Sequence, residues 1–265
     1  SARSSDEPQP ALSASRPRLA GTKLAMPPRA SSKQPPSPPR TLFVAKDQNK
    51  DQSYFLWTLT EEQLRHCLFP IGDFLKSEVR ELAREAGLPT ADKKDSQGIC
   101  FLGQVTLADF LAEYLPERRG EVLTVAGKKV GEHRGAHFFT VGQRRGIGIG
   151  GGTPYYVGEK DVKTNTLVVA QSETDESLYR KEVELTDLNF IQPIDSLIRA
   201  NKGIRVMARV RYRQPLVPAK LYSLEPNIYH LEFDEPVKFV APGQSAVFYA
   251  KDVEMLGGGV ISAAK

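Results

Sequence analysis

The chain has 265 residues, 40% of them hydrophobic and 26% charged, with a formal charge of +4. That is enough chain for a buried core, and no apolar run approaches the roughly 20 residues of a membrane-spanning helix. Two cysteines are too few for a disulfide framework, and the N-terminus has no apolar signal region, so a reducing compartment is expected.

Charge is unevenly spread. Residues 1–46 hold eight Lys or Arg against Asp6 and Glu7, a surplus of six, while the remainder, with 28 basic and 30 acidic residues, carries −2. A nucleic-acid partner would therefore need a local basic patch on the folded part. Ser, Pro, Ala and Arg dominate residues 1–40, which show no apolar period. Such a segment cannot bury enough surface to offset its ordering entropy, and residues 1–46 are read as a disordered leader. A linker and an organelle transit peptide are both compatible with that composition, and the absence of an initiator Met agrees with a fragment.

Three helices are expected next. Thr60-Glu61-Glu62-Gln63 has capping-box spacing, with Leu64, Cys67 and Leu68 on one face. A second helix runs from about Ser77 to Ala86 with Val79, Leu82, Ala83 and Ala86 as its stripe, stopped by Gly87 and Pro89. A third begins at a Thr106 N-cap, has Leu107, Phe110, Leu111, Tyr114 and Leu115 as its apolar face, and ends at Pro116. From Gly120 the pattern turns to strands. One hairpin folds around Ala126-Gly127 and another near Thr164-Asn165, and a polar stretch follows. Then "IRVMARVRYR", "AKLYSLE", "NIYHLEFDEPV", "QSAVFYA" and "GGGVISA" suggest a small closed barrel. The fold class is α+β, helical first and β-rich after.

Four features bear on chemistry. Cys67, between Leu64 and Leu68, reads as a buried, inert thiol. Cys100 stands in "KKDSQGICFLG"; Lys93 and Lys94 favour a thiolate and Asp95 opposes it, so the local sequence leaves a reactive and a buried thiol both open. The run "GQRRGIGIGGG", Gly142 to Gly152, lies between two expected strands, "HFFTV" and "PYYV". It lacks the following helix on which a nucleotide loop depends. It is read either as a strand connection or as a loop whose backbone and Arg144-Arg145 approach a polyanion. In "IRVMARVRYR", alternation puts Arg205, Arg209, Arg211 and Arg213 on one face with Met207, and Ile204, Val206, Ala208, Val210 and Tyr212 on the other. The arginine face suits RNA, through bidentate phosphate contacts and base stacking, or else a solvated edge.

With these residues in view, the chain resembles the tRNA-specific 2-thiouridylases. The matching stretches are "KDQSYFLWTL", "LFPIG", "VRELAREAGLPTADKKDSQGICFLG", "HFFTVGQRRGIGIGG", "YYVGEKDVKTNTLVVAQ", "RVRYRQ" and "PGQSAVFY", in family order over about residues 47–262. The resemblance implies a helical remnant of an α/β ATP-pyrophosphatase domain at 47–118, carrying Cys100. A small β-rich central domain at 119–180 and a C-terminal β-barrel at 181–265 complete it. It also implies the reaction, tRNA 2-thiolation of the wobble uridine. ATP adenylates the C2 oxygen, and a persulfide sulfur on a catalytic cysteine displaces AMP. By match to "DSQGICF", Cys100 is that persulfide cysteine.

The implied tRNA contacts, in the anticodon region, are Lys50, Asp51, Gln52, Arg211, Tyr212 and Gln244; Arg144, Arg145, Arg205, Arg209 and Arg213 are further candidates. Tyr212 reaches RNA through a bulge or at a strand end. The implied cofactors are ATP and persulfide sulfur from a sulfur-relay protein or cysteine desulfurase. No metal site and no membrane association are expected, and the setting is cytoplasmic, or alternatively mitochondrial. The family's SGGxDS loop and its second cysteine, which attacks the persulfide in forming a disulfide bond, have no match here. The sequence is therefore read as a fragment that does not bind ATP in the family's way, or alternatively as a non-catalytic tRNA-binding module.

Overall fold

A computed structural model describes residues 40–94, 107–150, 152 and 154–265, with side chains described from Phe110 onward in the third helix. Cys100 and the Thr106 cap lie outside the described residues. Among those described, no helix is long and apolar enough to cross a membrane.

The helices are α1 (Glu61–Leu64), α2 (Lys76–Glu85) and α3 (Leu107–Tyr114), with α4 (Asp195–Ala200) later in the chain. Thr60 and Gln63 form the expected capping box on α1. This helix is shorter than the apolar spacing suggests. Its apolar face does not persist: Leu68 is 90% exposed, and Cys67 is only partly buried, its Sγ 3.3 Å from the Gln63 carbonyl. Pro70 disfavours helix at Phe69, so the last members of the stripe fall in turns. α2 ends in a Schellman pattern, with Gly87 at φ 65, its N–H bonded to the Arg84 carbonyl and that of Leu88 to the Ala83 carbonyl. No residue of α2 is fully buried: Val79 and Ala83 are partly buried, and Leu82 is half exposed.

Two β units follow. Strands β1 (Gly120–Thr124), β2 (Lys129–His133), β3 (Tyr156–Asp161) and β4 (Thr166–Ala170) form a sheet in the order β2-β1-β4-β3. Both expected hairpins are present, turning at Gly127 (φ 79) and Asn165 (φ 56). A parallel β1–β4 pairing joins them. Asn165 is buried and locks this arrangement: its Oδ1 accepts from the Ala136 N–H at 2.9 Å and its Nδ2 donates to the Arg118 carbonyl at 2.9 Å. "HFFTV" is not the expected strand: Ala136–Phe138 form a 3-10 turn, with the Phe138 N–H on the Gly135 carbonyl and the Phe139 N–H on that of Ala136.

The second unit is a closed six-stranded barrel in the order β10-β5-β8-β7-β6-β9. Its strands are β5 (Tyr179–Phe190), β6 (Ile204–Arg209), β7 (Val217–Glu225), β8 (Ile228–Lys238), β9 (Ser245–Tyr249) and β10 (Met255–Ala264). The longest, β5, occupies the stretch read as polar; only Val183 and Leu185 of it are buried, too short an alternation to announce a strand. Val183, Leu185, Val206, Ala208, Leu221, Leu231, Phe233, Phe248 and Ile261 contribute to the barrel core.

A second core lies on the outside of the barrel. Residues 41–64 cover β9 and β10, packing Leu42, Tyr54, Trp57 and Leu64 against Ile191, Val247, Tyr249 and Met255. Thr41–Lys46 are thus not a disordered leader: Phe43 bridges Glu254, and the Met255 N–H donates to the Leu42 carbonyl at 2.7 Å. Their apolar side chains, Leu42 and Val44, belong to this second core. Strand β9 is consequently buried on both faces, with Ala246 and Phe248 inward and Val247 and Tyr249 under the covering segment. Trp57 lies so close to β10 that a Cβ on Gly258 would sit 2.7 Å from its Cγ.

This packing makes the sole tryptophan a reporter of docking. Gly258→Val should destabilise the fold by about 1–3 kcal/mol through overpacking and shift Trp57 emission to longer wavelength. Urea unfolding followed by that emission checks both. An unchanged midpoint and spectrum would refute the close Trp57–Gly258 contact.

Candidate nucleic-acid interface

The chain segment "KDQSYF" lies against the end of β6, and a buried ion pair holds it there. Asp51 is 1% exposed and Arg209 5% exposed. The guanidinium Nη2 donates to Asp51 Oδ2, to Ser53 Oγ at 2.8 Å and to the Tyr249 hydroxyl at 2.7 Å, and Nε donates to that hydroxyl at 3.2 Å. Asp51 also accepts from the Ser53 N–H at 3.0 Å, the Ser53 hydroxyl at 2.8 Å and the Ala45 N–H at 3.3 Å. Burial pushes the Asp51 carboxyl pKa up, but the hydrogen bonds from Arg209 and Ser53 and the charge of Arg209 outweigh it, leaving the pKa below its ordinary value. Burial likewise raises the Tyr249 phenol.

This corrects the expected arginine face. Strand β6 ends at Arg209, so strict alternation does not extend to Arg211 and Arg213. Alternation does direct Arg209 and Met207 out of the barrel, yet residues 41–57 cover that outer face, and Arg209 is buried beneath them. Its guanidinium and the Asp51 carboxylate are spent on each other. Arg205 is exposed and paired with Asp234, one contact being 2.8 Å. Arg211 is half-buried between the two β units, donating to the Val141 carbonyl with its guanidinium 5.7 Å from the Phe239 ring centre. Burial lowers its pKa. Gly142, at φ 84, allows this approach, since a Cβ there would lie 2.6 Å from Phe239.

Arg213 sits in the following turn at φ 67, exposed, with its guanidinium 5.1 Å from the Tyr212 ring centre. Tyr212 is in the same turn rather than on a strand face, and its hydroxyl accepts from Gln52 Nε2 at 2.7 Å across 160 positions of sequence. Gln52 and Tyr212 are therefore adjacent on the surface, with Lys50 and Asp51 in the preceding loop. Gln244 is exposed in the turn before β9, at a cleft of about 380 Å³ that Lys160 and Arg180 also line. Arg144 and Arg145 are exposed beside Gly146 and Gly148, lining a separate cleft of about 420 Å³.

Ser53, Tyr54 and Tyr249 were not singled out in the sequence. They complete the site by supporting it. The Tyr54 hydroxyl donates to the Ser245 carbonyl at 2.9 Å, fixing the turn that carries Gln52. The signal was a polar residue inside the apolar strand "SAVFY": a buried Tyr249 needs a hydrogen-bond partner.

Removing one member of the buried pair leaves an uncompensated charge, so Arg209→Met should cost about 3–5 kcal/mol. The Asp51 pKa is lower folded than unfolded, so its stabilisation is present above about pH 4 and is lost as pH falls through the folded value. Asp51→Asn should therefore flatten the acid limb of stability against pH, measured by urea midpoints. An unaltered limb would refute the pairing.

Comparisons with known proteins show the family. Residues 30–104 match the tRNA methyl transferase HUP domain, residues 108–171 the tRNA methyl transferase PRC-barrel domain, and residues 180–261 the aminomethyltransferase beta-barrel domain. The tRNA-specific 2-thiouridylase MnmA of Idiomarina loihiensis is 45% identical over 81% of this chain and 58% of its own length. The protein of that name from Actinobacillus pleuropneumoniae is 47% identical over 83% of this chain and 57% of its own. That of Neisseria meningitidis is 47% identical over 83% and 59%. The chain thus spans less than two thirds of the length of these curated relatives. With its three domain matches in sequence and this identity over four fifths of its residues, the chain belongs to the family of the tRNA-specific 2-thiouridylases.

Proposed function

We propose that this chain is the tRNA-holding and sulfur-carrying part of a tRNA 2-thiouridylase. The observation that carries the reading is the meeting of Gln52 with Tyr212. The two stretches for which the family resemblance implies tRNA contact, far apart in sequence, come together on one surface. Within that surface Gln52 and Tyr212 offer an amide and a phenol to RNA, Lys50 adds a positive charge, and Gln244 lies at a neighbouring cleft. Asp51 and Arg209 act through each other, holding Gln52 in place. Arg211 fixes the central sheet against the barrel, while Arg144, Arg145 and Arg213 supply cations for phosphates.

Cys100 is the proposed sulfur carrier, a thiolate that takes sulfur from a cysteine desulfurase or a sulfur-relay protein as a persulfide. The domain matches carry the name of methyl transfer and the relatives that of thiolation; the thiol in "DSQGICF" suits the second. ATP is the family's activating cofactor. Among the described residues no glycine loop runs into a helix N-terminus, since the Gly142–Gly152 run leads into β3. These residues do not fit an ATP site, and no step is assigned to ATP here. A non-catalytic tRNA-binding role is the second reading; it rests on the same Gln52–Tyr212 surface. A cytoplasmic setting, or a mitochondrial one, follows from the substrate.

Titration of tRNA with this chain should show weaker binding for Gln52→Ala and Tyr212→Ala. Arg144→Ala and Arg145→Ala should lower the salt slope by less than about 1 per charge. Unchanged affinity in the first two would overturn the tRNA surface. Labelled sulfur delivered by a cysteine desulfurase should appear on Cys100 and vanish in Cys100→Ser. Label on Cys67 instead would remove the sulfur-carrying role and leave the binding module.

A further inference from the structure

Phe55 is exposed where its neighbours are not. Tyr54 and Trp57 are 5% and 7% exposed, whereas Phe55 is 54% exposed. Its position is nonetheless fixed. It closes the 3-10 turn Ser53–Phe55: its N–H donates to the Gln52 carbonyl at 3.0 Å, and the following Leu56 N–H to the Ser53 carbonyl at 2.9 Å. Its ring centre lies 5.3 Å from that of Tyr54, edge to face at 84°, and 4.8 Å from that of Tyr212, tilted by 46°. Tyr54 and Tyr212 are in turn held by the bonds to Ser245 and from Gln52. Two elements that meet only in the tertiary structure thus flank a large aromatic side chain and leave over half of it in water.

We infer that Phe55 and Tyr212 form a stacking platform for an unpaired RNA base, with the Arg213 guanidinium beside it. The inference rests on the tRNA-binding reading and extends it to a residue that neither the resemblance nor the arginine pattern singled out. Single-stranded RNA is held by aromatic faces with interleaved cations, because every base has a π-face and every nucleotide a phosphate. The surroundings of Phe55 have that composition: a second ring in Tyr212, an amide in Gln52 and a cation in Arg213. Among the described residues Arg213 has no carboxylate within ion-pair distance, and its side chain lies against Tyr212. A non-glycine residue at φ 67 adopts a backbone conformation that L residues seldom take. A polypeptide partner would find a larger apolar surface in the nearby cleft of about 630 Å³, lined by Leu42, Phe43, Leu56, Phe69 and Ile71.

The test measures binding of a fluorescent anticodon stem-loop RNA to the full chain by anisotropy. Phe55→Ala should weaken binding by about 5- to 150-fold, the usual worth of one stacked base, and Phe55→Leu should weaken it similarly. Phe55→Tyr should stay close to wild type. In a series of RNAs with each loop nucleotide made abasic in turn, one position should weaken the wild type but not Phe55→Ala. Trp57 emission reports that each variant is folded. Equal affinity for wild type and Phe55→Ala overturns the platform while leaving tRNA binding intact. Full rescue by Phe55→Leu overturns it too, because an aliphatic side chain offers no ring to stack on. Absence of RNA binding by the wild type overturns the underlying tRNA reading, and the platform with it.

Discussion

The buried pair of Asp51 and Arg209 is the constraint on which the described surface depends. Neither ion is stable alone away from water, and the pair holds because Ser53, Tyr249 and the Ala45 N–H satisfy what remains of its hydrogen-bonding capacity. By tying residue 51 to the end of β6, it fixes where the covering segment lies across the barrel. Trp57 is thereby laid on Gly258, Gln52 brought to Tyr212, and Phe55 left facing water. The apolar contacts of Leu42, Tyr54 and Trp57 supply the non-directional burial. The ion pair supplies the register.

One arginine-rich stretch performs four distinct tasks, and its path relative to the covering segment separates them. Arg205 is on the uncovered part of β6 and makes a surface pair that contributes little to stability. Arg209, on the same strand, is under the segment and becomes structural. Arg211 has left the strand and reaches across to Val141, where the glycine loop of the central sheet meets Phe239. Arg213, in the turn beyond, is the exposed cation next to an aromatic face. Identical side chains thus differ in role according to what covers them. The expectation of a uniform phosphate-tracking face overlooks that covering.

The division of labour in the proposed function follows the same lines. RNA is to be held by groups already in contact with one another in the described structure, which limits the ordering cost on binding. The thiol proposed for sulfur transfer, Cys100, lies outside the described residues. Leu68, Ile71 and Leu82, in α2 and the residues before it, are exposed apolar side chains of the helical part. It is also the part in which the sequence pattern departs furthest from what is buried.

Much of the architecture was legible in advance because it is encoded locally. Gly127 and Asn165 mark turns through their backbone conformations, Gly87 stops α2 through its own, and alternation in "NIYHLEFDEPV" places Tyr229, Leu231 and Phe233 inward. The resemblance, too, was legible from short motifs in order. The β5 strand was obscured because its buried alternation is only two residues long. Whether α2 had a partner could not be read from its own stripe, since amphipathicity requires a neighbour to become burial.

The sequence by itself determined the turns, most strands and the family. The tertiary structure alone decided that Arg209 is buried and Phe55 exposed, because burial depends on which distant segment lies over a residue, and alternation records only the side of a strand, not what covers it.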